Sequence, residues 1–181
     1  MTIIWIIFGA IGILILCVLV IAAFVKKDYA VERSIIVKST NEDMFNFIRL
    51  IGNQDRFNKW SNLDPHMIKE TVGTDGTVGF VSKWESNHKQ VGNGEQEIKR
   101  IVEGERIESE LRFIKPFSGV AQAYLTTQPS SENETLVNWG FSSTMKYPMN
   151  ILLVIMNMEK MLGNDFEFGL NNLKKLVETE S

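Results

Sequence analysis

"MEKMLGNDFEFGLNNLKKLVE", residues 158–178, is the stretch on which the fold turns. Met158, Met161, Leu162, Phe166, Gly169, Leu170, Leu173 and Val177 recur at three- and four-residue steps. Lys160, Glu167, Asn171, Lys174 and Glu178 take the opposite side. That pattern is a long amphipathic helix with one face laid against a sheet. Gly169 stands on the apolar stripe, where the missing side chain lets helix and strands approach closely.

The residues upstream supply the sheet. Val31, Arg33, Ile35 and Val37 alternate with Glu32, Ser34, Ile36 and Lys38, the period of a first strand. Ser39 and Thr40 offer an N-cap, Met44, Phe45, Phe47 and Ile48 a short helix face, and Phe57 and Trp60 a second small helix. Strand-like runs follow at 67–72, 79–85, 96–102, 106–113, 120–127 and 135–144. Turn residues such as Gly73-Thr74-Asp75-Gly76 and Glu103-Gly104-Glu105 separate them. Short strands at this spacing predict an antiparallel meander. Ile107, Ser109, Leu111 and Phe113 share one face while Glu108, Glu110 and Arg112 share the other, so one side of the sheet is covered and one is wet. The same parity groups Phe80, Ser82 and Trp84, and likewise Val137, Trp139, Phe141, Ser143 and Met145.

Strand, two short helices, a run of strands and a long last helix is the order of a helix-grip fold. The motifs agree with it. "FNKWS" (57–61), "NGEQEIKRIVEGERIESELRF" (93–113), "TLVNWGFSSTM" (135–145) and the helix at 158–178 resemble the polyketide cyclase/dehydrase family of the START-like (SRPBCC) superfamily. The resemblance covers about residues 29 to 178 and implies an α+β domain whose curved sheet wraps the C-terminal helix. It also implies a deep, mostly apolar cavity that takes lipids, sterols, polyketides or other hydrophobic molecules, and in a few relatives cyclase or aromatase chemistry. By position, Phe80, Ser82, Trp84, Ser109, Phe113, Tyr124, Trp139, Phe141 and Met145 from the strands, and Met158, Leu162 and Phe166 from the helix, are the expected lining. For each large residue, plain core packing is the competing reading.

The chain has 181 residues, enough for one domain plus an N-terminal extra piece. From Thr2 to Val25 there is no charged side chain. A helix of about 24 residues rises about 36 Å, more than the hydrocarbon core of about 30 Å. No Lys or Arg precedes this run, and it is too long for a secretory signal. Cys17 follows Leu16 without the small residues that a lipoprotein signal needs. A single membrane-spanning anchor over residues 1–27, followed by a START-like domain over 28–181, fits best. Lys26 and Lys27, with Arg33 and Lys38 nearby, put the domain on the cytoplasmic side. The net charge of −3, with both signs mixed throughout, excludes a dedicated nucleic-acid binder.

Catalytic constellations are sparse. His66 and His88 sit in turn-like stretches, and no His or Cys pair has ligand spacing, so neither a triad nor a metal site is expected. Gly73, Gly76 and Gly79 resemble a phosphate loop but lack the Lys-Ser/Thr pair and following helix, which leaves a hairpin turn. No cofactor is expected. "YPMNILLVIMNM" holds six consecutive apolar residues, Ile151 to Met156. Two readings stand: a helix start buried on all sides, or an apolar lip at the cavity mouth that touches lipid. The reading that follows is membrane-anchored binding of a hydrophobic small molecule or lipid. The alternatives are a cyclase- or hydrolase-type enzyme, or an interaction module with a filled core.

Overall fold

Seven strands build the sheet within residues 2–180, which the computed structural model describes. They are β1 (Asp28–Val37), β2 (Ile68–Val72), β3 (Val81–Glu85), β4 (Asn93–Val102), β5 (Arg106–Lys115), β6 (Gly119–Ser131) and β7 (Glu134–Thr144). Across the sheet the order is β1-β7-β6-β5-β4-β3-β2, every pair antiparallel. The meander from β2 to β7 follows from the short connections between neighbours, and β1 closes onto β7. This is the expected α+β helix-grip fold.

The helices are α1 (Thr2–Phe24), α2 (Asn41–Ile48), α3 (Ile51–Phe57), α4 (Lys59–Leu63), α5 (Leu152–Ile155) and α6 (Met158–Glu180). Thr40 caps α2 by accepting from the Asp43 N–H, as its position in the sequence implies. Where two short helices were expected between β1 and β2, the described residues form three. The Asn58 side chain accepts from the Ser61 N–H at 2.7 Å and so starts a new helix directly after α3. The C-terminal helical pattern is also interrupted. A 3-10 turn at Met149–Ile151 and α5 precede an extended Met156, and Asn157 then caps α6 by accepting from the Lys160 N–H. Val154 and Ile155 are exposed, so the reading of this stretch as a helix start buried on all sides is corrected.

The strand register separates two ends of the sheet. Asp28 pairs with Thr144 at the end where α1 joins, and Val37 pairs with Thr135 at the far end. The packed core occupies the far half: Val37, Met44, Phe45, Ile48, Val137, Leu173 and Val177 pack together there. Helix α1 lies outside this core. It is long and apolar enough to cross a membrane, and its side chains are exposed except near its end, where Ala22 is buried. Val25, Lys26 and Lys27 are the whole connection between α1 and β1.

Helix α6 is seated by aromatic contacts and a glycine. Trp139 of β7 lies flat on Phe166, with centroids 4.6 Å apart, and Phe57 meets Trp139 edge-on at 5.6 Å. A Cβ on Gly169 would fall 2.7 Å from the Trp139 ring, too close for any real contact. At the margin of the seam, Arg33 of β1 donates to Glu159 and Glu167, both at 2.7 Å. Gly169→Val is expected to cost about 1–3 kcal/mol through overpacking, read by urea unfolding. An unchanged midpoint would mean that α6 does not press on Trp139.

The outer face carries a charge cluster. Arg112 reaches Glu95, Glu97 and Glu110 at 2.5, 2.8 and 2.6 Å, and the three carboxylates raise its pKa. Glu97 is held below the usual carboxylate range by its hydrogen bonds to Lys99 and then Arg112, and Glu110 by those to Arg112 and then Gln122. A folded pKa below the unfolded value adds stability above the ordinary carboxylate pKa and loses it as pH falls through the folded one. The melting temperature is therefore expected to fall on acidification below about pH 4.3, and Arg112→Met to flatten that dependence. A variant with the wild-type pH profile would contradict the assignment.

Candidate functional site

The half of the grip nearest α1 is not filled. A cavity of about 300 Å³ lies between α6, α3–α4 and the strands, at the small end of sites that take drug-sized molecules. Register explains its position. Its strand lining runs from the row of Ile107, Leu125 and Trp139 toward the row of Phe113, Trp84 and Lys69, on the covered face except at Tyr124. Trp84 meets Phe113 edge-on at 6.2 Å, and Phe141 approaches Phe166 at 6.3 Å. Met158 and Leu162 come from the first turns of α6.

Of the residues expected from the sequence, Ser82, Trp84, Ser109, Phe113, Trp139, Phe141, Met158, Leu162 and Phe166 line this cavity. Three are placed differently. Tyr124 borders the cavity, but its ring lies on the outer face, over Gly140, because Ala123 and Leu125 take the inward positions beside Phe141 and Trp139. Its hydroxyl donates to Glu32, and the Arg106 guanidinium stands 3.9 Å over the ring. The bond to Glu32, ahead of burial, pushes the phenol pKa up. Phe80 faces inward but belongs to the packed core, and Met145 lies one residue beyond β7.

Several lining groups escaped the sequence reading. Gln54 of α3, almost fully buried, donates to the Ile48 carbonyl at 2.8 Å and accepts from Gln96 at 3.1 Å. Gln96 also reaches the Ser109 hydroxyl at 3.3 Å. These neutral groups form a hydrogen-bonding cluster within the cavity wall. Gln96 was readable, since it shares the parity of Ile98. Gln54 was not, because α3 carries no continuous apolar stripe, and its free N-terminus is capped by the distant Asp75, which accepts from the Ile51 and Gly52 N–H groups at 2.8 and 2.9 Å. That bond also gives the Gly73–Gly79 turn a structural role.

A charged cluster stands beside the amides. Asp55 binds Lys69 at 2.7 Å and accepts from Ser61 at 2.8 Å and Asn58 at 3.4 Å, and Lys69 also donates to Ser61 at 3.3 Å. Tyr29 of β1 lines the cavity as well; burial pushes its phenol pKa up, against a hydrogen bond with Ser143. In the neighbouring loops the Ser86 hydroxyl donates to Asp64 and accepts from the His88 N–H, and this bond first of all lowers the Asp64 pKa. The serine proton is thus directed to a carboxylate and not to an imidazole, which is the wrong arrangement for a nucleophile. Among the described residues no group of three His, Cys, Asp or Glu side chains could hold a metal ion.

No family model matches the sequence, and no curated protein does either. Solved structures do match. Norcoclaurine synthase from Thalictrum flavum, in complex with dopamine and hydroxybenzaldehyde, superposes with a TM-score of 0.62 at 12% identity, over 89% of this chain and 92% of that one. The di-domain aromatase/cyclase StfQ from the steffimycin biosynthetic pathway gives 0.61 at 11%, over 85% of this chain and 52% of that one. A protein from Nitrosospira multiformis gives 0.55 at 18%, over 81% and 94%. At these identities the likeness establishes the fold, a helix-grip.

The amide cluster makes a measurable claim. In a double-mutant cycle, Gln54→Leu and Gln96→Leu are expected to couple by about 0.5–1.5 kcal/mol. Strict additivity would show that the two amides do not bond.

Proposed function

We propose that α1 holds this chain in a membrane, with the domain on the cytoplasmic side, and that the cavity binds a hydrophobic small molecule without transforming it. The observation that carries the reading is the composition of the wall. Phe113, Trp84, Leu111, Phe141 and Leu162 supply apolar surface, while Gln96 and Ser109 are neutral hydrogen-bonding groups set among them. Burying apolar ligand surface contributes about 25 cal/mol per Å² before the costs of association. The Gln96–Ser109 pair would orient one hydroxyl or carbonyl of the guest. The volume suits a single small amphiphile or one acyl chain. Fold neighbours that act on small organic molecules support a cavity of this kind, without specifying its guest.

A second reading, cyclase-type catalysis, is favoured by one observation: Asp55 and Lys69 line the cavity. Asp55 would take a proton next to a carbonyl, and Lys69 would stabilise the oxygen that becomes negative. All the hydrogen bonds of Asp55 described above, however, serve to join α3, α4 and β2.

The test is a binding titration of the full-length chain with a pyrene-labelled fatty acid. Ala123 lines the cavity, and Ala123→Phe fills part of it. The variant is expected to bind the probe at least about tenfold more weakly, while its melting temperature stays the same or rises. Equal binding by wild type and variant would remove the cavity from the account. Asp55→Asn separates the two readings: binding without transformation predicts that the variant and wild type both return the probe unchanged.

A further inference from the structure

Outside α1, exposed large apolar side chains concentrate at one end of the sheet. The register sets the pairs Asp28–Thr144, Phe113–Gly119 and Glu85–Asn93 at the end where α1 joins. Near it stand Met149, Val154 and Ile155 after β7, and Ile114 and Phe117 at the β5–β6 turn, with Ile155 76% and Phe117 74% exposed. Lys26, Lys27, Lys115 and Lys146 are exposed around the same end. Its carboxylates are mostly engaged, Asp28 with Thr144 and Glu159 with Arg33, while Glu85 is exposed. At the far end, the turns and the start of α2 carry the exposed acids Glu42, Asp43, Glu103, Glu105 and Glu132, and Val72 and Val78 are exposed on the β2–β3 side.

A hydrogen-bonded clamp ties the apolar segment to α1. Asn150 is fully buried, and its Nδ2 donates to the carbonyls of Ala22 and Val25 at 2.7 and 3.0 Å. The Ala22 carbonyl is one of those that a helix end leaves without an internal partner. The Asn150 Oδ1 is buried with no partner among the described residues, a cost set against those two bonds. The clamp therefore holds the turn that leads into α5 against the last turn of α1. A groove of about 490 Å³ lies between the α1–β1 connection, at Val25, Lys26 and Asp28, and the segment Leu153 to Glu159. Tyr29 and Met158 line both this groove and the cavity.

We propose that α5 is seated in the bilayer interface beside α1, and that the groove between α5 and the α1–β1 connection, with Tyr29 and Met158 at its inner end, is the passage by which an apolar molecule moves between bilayer and cavity. The proposal rests on the reading of α1 as a membrane span. Lipid is the occupant of the α5 face because the turn before α5 is clamped to the end of α1 and the face is bracketed by lysines, the arrangement that suits acyl chains below anionic headgroups.

The test uses the full-length chain in phosphatidylcholine–phosphatidylglycerol vesicles. In a Cys17→Ser background, single cysteines from Leu14→Cys, Ile155→Cys or Val78→Cys carry an NBD fluorophore, and the vesicles contain lipids with a nitroxide high on the acyl chain. The Ile155 probe is expected to be quenched at least about fivefold more than the Val78 probe. Quenching at Leu14 but not at Ile155 overturns the proposal and leaves the anchor standing. No quenching at Leu14 sinks the anchor itself. An Ile155 probe with an apolar emission but no lipid quenching means that protein covers this face, for instance a second copy of the chain, and also overturns the proposal. For the passage, Ile155→Glu is expected to slow transfer of the pyrene-labelled fatty acid from vesicles by at least about tenfold, the effect of a charge at the apolar interface. An unchanged rate rules the groove out as the route.

Discussion

The flat stack of Trp139 on Phe166 sets how far α6 descends into the sheet, and the interior depends on that distance. Gly169 allows the approach and Phe57 braces the indole from the side. On the far side of the stack, toward Val37 and Val177, α6, α2 and the strands close into core. On the near side the first turns of α6 stand away from β4, β5 and β6, and the space between them is the cavity. A packed half holds the domain together, so the other half can remain open.

The parts of this arrangement with strong periodicity were legible in the sequence. The apolar stripe of α6 and the alternation around Ile107, Ser109, Leu111 and Phe113 specify helix, meander and covered face, and nine expected lining residues reach the cavity. The errors have physical causes. On β6 the inward positions hold small or aliphatic residues, Ala121, Ala123 and Leu125, so Tyr124, expected by position at the lining, covers Gly140 on the other face and only borders the cavity. The break before α6 was hidden because the apolar run continues through it, and only the Asn157 cap marks the restart. Gln54, Asp55 and Lys69 are brought together by contacts remote in sequence, which no local pattern records.

The polarity of the two sheet ends gives the cavity a direction. The short connection after α1, the Asn150 clamp and the shared position of Tyr29 and Met158 place the open half next to the apolar helix and the packed half away from it. If α1 spans a membrane as proposed, the open half would face the bilayer, which would then serve as the reservoir of its guest.

If the open half of the grip holds an apolar guest, that guest should travel with the purified chain. The chain purified from the cells that make it is extracted with organic solvent, and the extract is compared by mass spectrometry with that of Ala123→Phe prepared in parallel. An occupied cavity yields one small apolar class of compound, near equimolar with the wild-type chain and depleted in the variant. Extracts that match each other and the bulk membrane lipids would contradict it.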